Sequence, residues 1–168
     1  KLKRYFGDGK KWNVEIRYLD EESPLGTAGS LGLLPDDLLE FPILVMNSDL
    51  LTRVNFRELL RHHEHEGGVA TICARDYEFQ VPYGVVETEG MALTDITEKP
   101  QHRFFVNAGI YVLNPSVVKK IRNQGHIDMT DVLLRESKES NNVVVFPVHE
   151  YWLDIGRVDE FERAQDEV

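Results

Sequence analysis

The chain has 168 residues, 42% of them hydrophobic and 29% charged, which suits one soluble domain with a single core. Its formal charge of −10 excludes a dedicated nucleic-acid binder, because phosphate backbones reward basic stripes, and no run of about 20 apolar residues is present to cross a bilayer. A single cysteine, Cys73, excludes a disulfide framework and points to a reducing cytoplasm; inside the apolar run Val69 to Ala74 it reads as a packed small side chain.

In chain order, Asn13 to Tyr18 alternates apolar and polar residues as a strand does. Thr27 to Leu34 reads as a short helix stopped by Pro35. Phe41 to Met46 has the character of a buried parallel strand, bounded by Asn47-Ser48-Asp49. Asn55 opens a helix with Phe56, Leu59 and Leu60 on one face, ending at Gly67-Gly68. Val69 to Ala74 is strand-like, and two β-rich runs around Glu89-Gly90 predict a hairpin. Phe104 to Leu113 is a further strand, and Pro115 opens a helix at its favoured first position. Late strands are expected at Val143 to Phe146 and around Trp152, with a terminal helix over Val158 to Val168. The early βαβα order predicts a parallel sheet with right-handed crossovers, and the middle adds antiparallel strands. One α/β domain over residues 1–168 is the expectation.

Ligands of open α/β sheets bind beyond the carboxyl ends of the strands. Asp49 stands at such a place, where a carboxylate holds a hard cation such as Mg²⁺ or, alternatively, one of Asn47, Ser48 and Asp49 caps the next turn. In Pro24-Leu25-Gly26-Thr27-Ala28-Gly29 the glycines let the backbone approach a flat or anionic ligand, and a capped helix is the competing reading. Glu98-Lys99-Pro100 ends a strand: proline is expected to hold Lys99 extended, the carboxylate suits sugar hydroxyls and the ammonium suits a phosphate, against a plain surface pair. Asn107, among Phe104, Val106, Ile110 and Val112, needs a hydrogen-bonding partner. Asp154, between Leu153 and Ile155, is expected to be paired or to bind a metal, or to cap the last helix.

His62, His63 and His65 read as a solvated helix face, with His62 at helical spacing from Glu66. Tyr5, Phe6 and Trp12 read as core packing. Tyr83 is a candidate to line a pocket beside Gly84.

The order of PLGTAG (24–29), Asp49, VPYGVV (81–86), EKP (98–100), VNAGIYVL (106–113) and WLDIG (152–156) resembles the sugar-1-phosphate nucleotidylyltransferase family, most of all the mannose-1-phosphate guanylyltransferase-like enzymes. The resemblance implies a Rossmann-like three-layer α/β fold with a mixed, mainly parallel central sheet. It implies that Leu25, Gly26 and Thr27 hold the nucleobase, that Asp49 and Asp154 bind Mg²⁺, that Gly84, Glu98 and Asn107 contact the sugar, and that Lys99 contacts the sugar phosphate. The implied reaction joins a nucleoside triphosphate and a sugar 1-phosphate and releases pyrophosphate.

One departure accompanies the likeness. Family members open with a strand and a glycine-rich loop that wraps the triphosphate, whereas Lys1 to Phe6 resembles the helix after that loop. The first β-α-β segment is therefore expected to be missing. A homodimer or marginal stability, and weak or absent turnover by this chain alone, are expected with it. A non-catalytic nucleotide-sugar-binding or regulatory module of the same fold is the alternative class. Glycosyltransferases of similar fold are set aside because no Asp-x-Asp occurs among the candidates.

Overall fold

The computed structural model describes residues 1–140, 142–156, 162, 164 and 165. In chain order the elements are α1 (Leu2–Phe6), α2 (Gly26–Gly29), β1 (Ile43–Met46), β2 (Leu50–Thr52), α3 (Phe56–Glu66), β3 (Ala70–Gln80), β4 (Gly84–Glu89), β5 (Ala92–Glu98), β6 (Gln101–Leu113), α4 (Pro115–Ile121), α5 (Met129–Ser140), β7 (Val143–Val148) and β8 (Trp152–Asp154). They gather into two compact units, Lys1–Ile43 with Asn114–Asn141 and Leu44–Leu113 with Asn142–Val168.

The second unit contains a four-stranded sheet in the order β1-β6-β3-β7. It is mixed: β3 runs antiparallel to β6 and parallel to β7. Two shorter antiparallel pairs, β2 with β8 and β4 with β5, complete the strands. The inner end of β3 (Ala70, Thr71, Cys73, Ala74) is buried between two neighbours and reads as a continuous small and apolar run. Its outer end, Tyr77 to Gln80, pairs with β6 alone and alternates aromatic with polar residues.

Helix α3 supplies Leu59 to a core with Leu50, Val54, Cys73, Ala108, Ile110, Val112 and Val148. Complete burial of a leucine such as Leu59 contributes roughly 1.5–3 kcal/mol. The helix starts where the Asn55 side chain accepts from the Arg57 and Glu58 N–H groups, and stops at Gly67 in the left-handed conformation. Burial pushes the Cys73 thiol up to about 12, with the Glu150 charge adding to the shift, so it stays protonated and inert.

In the first unit, α4 presents buried Val117, Val118 and Ile121, and α5 presents buried Met129, Val132, Leu133 and Glu136. The two helices are clasped by Lys120, whose ammonium lies 2.8 Å from both Glu136 oxygens and 2.9 Å from Glu139.

Several expectations change. Asn13 to Tyr18 forms no strand: the Val14 and Ile16 N–H groups, which a ladder would use, donate to the Gly9 and Asp8 carbonyls instead. β1 is not buried; its residues alternate between half-buried and exposed. The histidines are not one solvated face, since His63 is buried with its Nδ1 2.8 Å from the Thr71 hydroxyl, and His62 Nε2 donates to the Val145 carbonyl. It is His65, not His62, that meets Glu66. Tyr5, Phe6 and Trp12 pack on one another, but Tyr5 is 70% exposed, so they form a surface cluster rather than a core. The terminal helix over Val158 to Val168 falls largely outside the described residues, of which Glu162, Ala164 and Gln165 are helical.

Candidate active site

The antiparallel register of β2 and β8 sets Leu50 opposite Asp154, so Asp49, one residue before β2, arrives at the end of β8. The Ile155 N–H donates to the Asp49 carbonyl at 2.9 Å and closes that end. Both carboxylates then converge on Gly156. A Cβ there would lie 3.0 Å from Asp154 Oδ1 and 3.0 Å from Asp49 Oδ2, so the two oxygens are at most twice that distance apart. The Gly156 N–H donates to Asp154 Oδ1 at 3.1 Å. Two further contacts hold β8: the Trp152 indole donates to the Ala108 carbonyl at 2.8 Å, and Arg75 donates to the Trp152 carbonyl at 2.5 Å.

Among the described residues no group of three or more His, Cys, Asp or Glu side chains forms a metal cage. A pair of carboxylates alone is nevertheless what Mg²⁺ takes when it keeps waters and shares itself with substrate phosphates. The donor set fits that ion and would fit Zn²⁺ poorly, since zinc prefers nitrogen and sulfur ligands.

Asn107 sits at a bulge of β6. The pairing of Ile72 with Tyr111 is followed by Ala74 with Asn107, so Ala108, Gly109 and Ile110 stand against Cys73 alone. Gly109 has φ +68°, and a Cβ on it would come within 2.8 Å of Asn47 Nδ2, so only glycine serves there. The partner that Asn107 needed is found within its own strand. Its Oδ1 accepts from the Gly109 N–H at 2.9 Å, and its Nδ2 donates to the Tyr111 hydroxyl at 2.7 Å. These bonds fix the amide and leave one lone pair and one N–H for anything else.

The β4–β5 hairpin brings Gly84 and Glu98 into direct register. A Cβ on Gly84 would lie 2.8 Å from Glu98 Oε2, which places the carboxylate across the space that the glycine leaves. Lys99 follows, and here the expectation of an extended residue before Pro100 is overturned: its φ is +47°. The Lys99 N–H donates to the Tyr83 carbonyl at 3.2 Å, and its carbonyl accepts from Gln80 Nε2 at 3.3 Å, so the loop closure outweighs the proline preference. A left-handed lysine costs roughly 1–3 kcal/mol, and such strain gathers at functional sites. Tyr83 is 73% exposed at the mouth of the hairpin.

Leu25, Gly26 and Thr27 lie in the first unit, at the start of α2. Gly26 has φ +78°, and a Cβ on it would meet the Ile127 carbonyl at 2.6 Å. The Thr27 N–H donates to Asp128 Oδ1 at 2.9 Å. Leu25 and Ala28 are tied to the Ile127 main chain on either side of it.

A nucleotidyl transferase family model matches residues 1–168. The chain belongs to the nucleotidyl transferase family. Among its relatives, a mannose-1-phosphate guanyltransferase of Pichia angusta is 37% identical over 169 residues, covering 95% of this chain and 45% of the relative. The mannose-1-phosphate guanylyltransferase catalytic subunit beta of Dictyostelium discoideum is 32% identical over 157 residues, covering 90% and 44%. The chain thus spans less than half the length of the curated relatives it matches.

Solved structures share the fold. One, described as a glucose-1-phosphate thymidylyltransferase of Bacillus anthracis in complex with a sucrose, superposes with a TM-score of 0.72 at 20% identity, over 98% of this chain and 70% of that one. HddC of Yersinia pseudotuberculosis complexed with GMP-PN gives 0.65 at 16% identity, over 98% and 73%. Both likenesses bear out the mixed α/β architecture of the chain.

The sequence reading missed Asp128 and Arg75 as parts of these arrangements, and it quoted Gly156 within WLDIG without giving it a role. Asp128 carried a signal, for an aspartate ahead of Met129, Val132, Leu133 and Glu136 is a helix start followed by one buried face. Arg75 and Gly156 carried none that spacing reveals, because their roles depend on strands brought together in three dimensions.

Proposed function

We propose that this nucleotidyl transferase, in its natural setting, moves a nucleotidyl group from a nucleoside triphosphate to a sugar 1-phosphate with Mg²⁺, giving a nucleotide sugar and pyrophosphate. The observation that carries the reading is the convergence of Asp49 Oδ2 and Asp154 Oδ1 on the one point beside Gly156. Guanine and mannose are the proposed base and sugar, because the relatives named above carry those names.

Asp49 and Asp154 would hold the ion, which when bound neutralises charge on the attacked phosphate. Leu25, Gly26 and Thr27 would hold the base, chiefly by main chain. Glu98 accepts two sugar hydroxyls in the space that Gly84 leaves open, with Tyr83 bordering it and Asn107 offering its remaining N–H and lone pair. Lys99 pairs with the sugar phosphate and directs one of its oxygens at the α-phosphorus. A bond forms between that oxygen and the α-phosphorus as the bond to the bridging β-phosphate oxygen breaks, and the electron pair leaves with pyrophosphate. No side chain has to remove a proton, because the nucleophile is already an anion; catalysis here is positioning and charge neutralisation.

The test is a calorimetric titration of the chain with GDP-mannose, with and without Mg²⁺, beside Asp49→Asn and Glu98→Ala. Asp49→Asn is expected to remove the Mg²⁺-dependent part of the affinity, about tenfold or more, and Glu98→Ala to weaken binding whether or not the metal is present. An Asp49→Asn, Asp154→Asn double variant that keeps its Mg²⁺ dependence would falsify the metal assignment. A sensing module without chemistry would instead bind the product well and form none from GTP and mannose 1-phosphate when the chain is assayed within its full natural protein.

A further inference from the structure

We infer that Asp128 is a positioning residue for nucleobase recognition: its carboxylate holds the Leu25–Thr27 loop in the conformation that reads the base. The inference rests on the proposed role of that loop and adds the group that shapes it. Asp128 directly precedes α5, where an aspartate ordinarily spends its carboxylate on the first free N–H groups of its own helix. Here the bonds run elsewhere. Oδ1 accepts from the Thr27 N–H at 2.9 Å and from the Thr27 hydroxyl at 3.2 Å, a residue 101 positions back in the chain. The Asp131 and Val132 N–H groups are met by the Asp128 carbonyl instead, which frees the carboxylate for the loop.

The Thr27 hydroxyl relays the contact onward. It donates to Asp128 and accepts from the Met129 N–H at 2.8 Å, and Met129 is itself buried. Main-chain bonds flank this centre: the Ile127 N–H donates to the Leu25 carbonyl at 2.9 Å, and the Ala28 N–H donates to the Ile127 carbonyl at 3.1 Å. The absence of side chains at Gly26 and Gly29 lets the two segments touch. A Cβ on Gly26 would lie 2.9 Å from Asp128 Oδ1, and one on Gly29 would lie 2.7 Å from the Gly125 carbonyl.

The bonds also explain what remains for a ligand. The Leu25 N–H goes to Glu21, the Leu25 carbonyl to Ile127 and the Thr27 N–H to Asp128. Among the described residues the Gly26 N–H has no internal acceptor, so it points recognition at a base edge that offers one. The two Thr27 donors hold the Asp128 carboxyl below the usual carboxylate range, with His126 contributing less, so the acceptor stays charged at neutral pH. Removing it leaves the two Thr27 donors to find water and lets the loop open.

The experiment compares the chain with Asp128→Ala, Asp128→Asn and Glu98→Ala by two readouts. The first is amide hydrogen exchange at Thr27. Asp128→Ala is expected to speed it about tenfold or more with the Ile72 amide of β3 unchanged, and Asp128→Asn, which keeps an oxygen acceptor, to recover most of the protection. The second is the ratio of GDP to UDP affinity, expected to fall about fivefold or more in Asp128→Ala, to be largely restored in Asp128→Asn and to stay at the wild-type value in Glu98→Ala. Unchanged Thr27 exchange in Asp128→Ala overturns the inference, as does faster exchange with an unaltered affinity ratio. A wild-type chain that binds GDP and UDP equally overturns the base-reading role of the loop itself, while the exchange data still decide whether Asp128 holds it.

Discussion

The loop at residues 25–29, proposed to read the base, and the hairpin at residues 84–98, proposed to take the sugar, are both built around a glycine, yet the two glycines do opposite things. Gly26 is pressed against main chain: a Cβ would meet the Ile127 carbonyl, which cannot swing away, and its φ of +78° is one that residues with side chains rarely adopt. At Gly84 the only close approach is to the carboxylate end of Glu98, with Ile96 Cγ2 at an ordinary 3.6 Å, on a hairpin whose two strands are exposed throughout. A flat base read by backbone groups needs a loop that is already rigid. A sugar read by a long side chain needs only that the side chain have room. Preorganisation is thus spent where recognition has no rotamers to adjust.

Gly26→Ala breaks the first half of that contrast and has the largest expected effect. The left-handed backbone and the 2.6 Å approach to a carbonyl together cost about 2–4 kcal/mol. For a chain of this length that lowers Tm by roughly 5–15 °C in a thermal melt. A melt within about 1 °C of wild type would show that the segment holding Gly125 to Asp128 can yield, and that the loop is not rigid.

Gly84→Ala sharpens the second half. Its Cβ displaces only the mobile end of Glu98, so stability should stay within about 0.5 kcal/mol of wild type. The carboxylate nonetheless leaves the place where it is proposed to meet two hydroxyls, and mannose 1-phosphate affinity is expected to fall about tenfold or more by calorimetry. An alanine that destabilises the hairpin as Gly26→Ala does the loop, or that leaves affinity unchanged, would erase the distinction between the two sites.

How much of this was legible in the sequence follows the same division. Elements fixed by neighbours in the chain were readable: α3 between Asn55 and Gly67, the turn at Gly90, the helix opened by Pro115. Motif order also brought out Asp49 and Asp154, which the β2–β8 register then sets at one end of a strand pair. Features decided by remote partners were not readable. Alternation at Asn13 to Tyr18 suggested a strand, but its N–H groups are satisfied at Asp8 and Gly9, so no ladder forms. The residue rule for proline suggested an extended Lys99, but Tyr83 and Gln80 close the loop around it in the left-handed region. The hold of Asp128 on the loop could not be read from spacing because its partner, Thr27, is 101 residues away.

The smallest expected effect separates the two sites by pH. The Asp128 carboxyl is held below its usual range by hydrogen bonds that only the folded loop supplies, first from the Thr27 N–H and then from its hydroxyl. A carboxyl with a depressed folded pKa contributes stability that is fully present above its unfolded value and is lost as pH falls through the folded one. The loss therefore begins below about pH 4 and not near neutrality. Because the group is open to solvent, the expected signature is local and partial: the Thr27 amide, followed by NMR, falls in acid to the slightly weaker protection that a neutral oxygen acceptor gives, while the cross-strand amides of Val86 and Ile96 in the hairpin follow only the general acid dependence of exchange. Asp128→Asn should abolish that acid step, since an amide has no proton to gain in this range. Persistence of the step in the variant would assign it to another carboxylate, and its absence in wild type would mean that the Thr27 bonds do not distinguish the charged form from the neutral one.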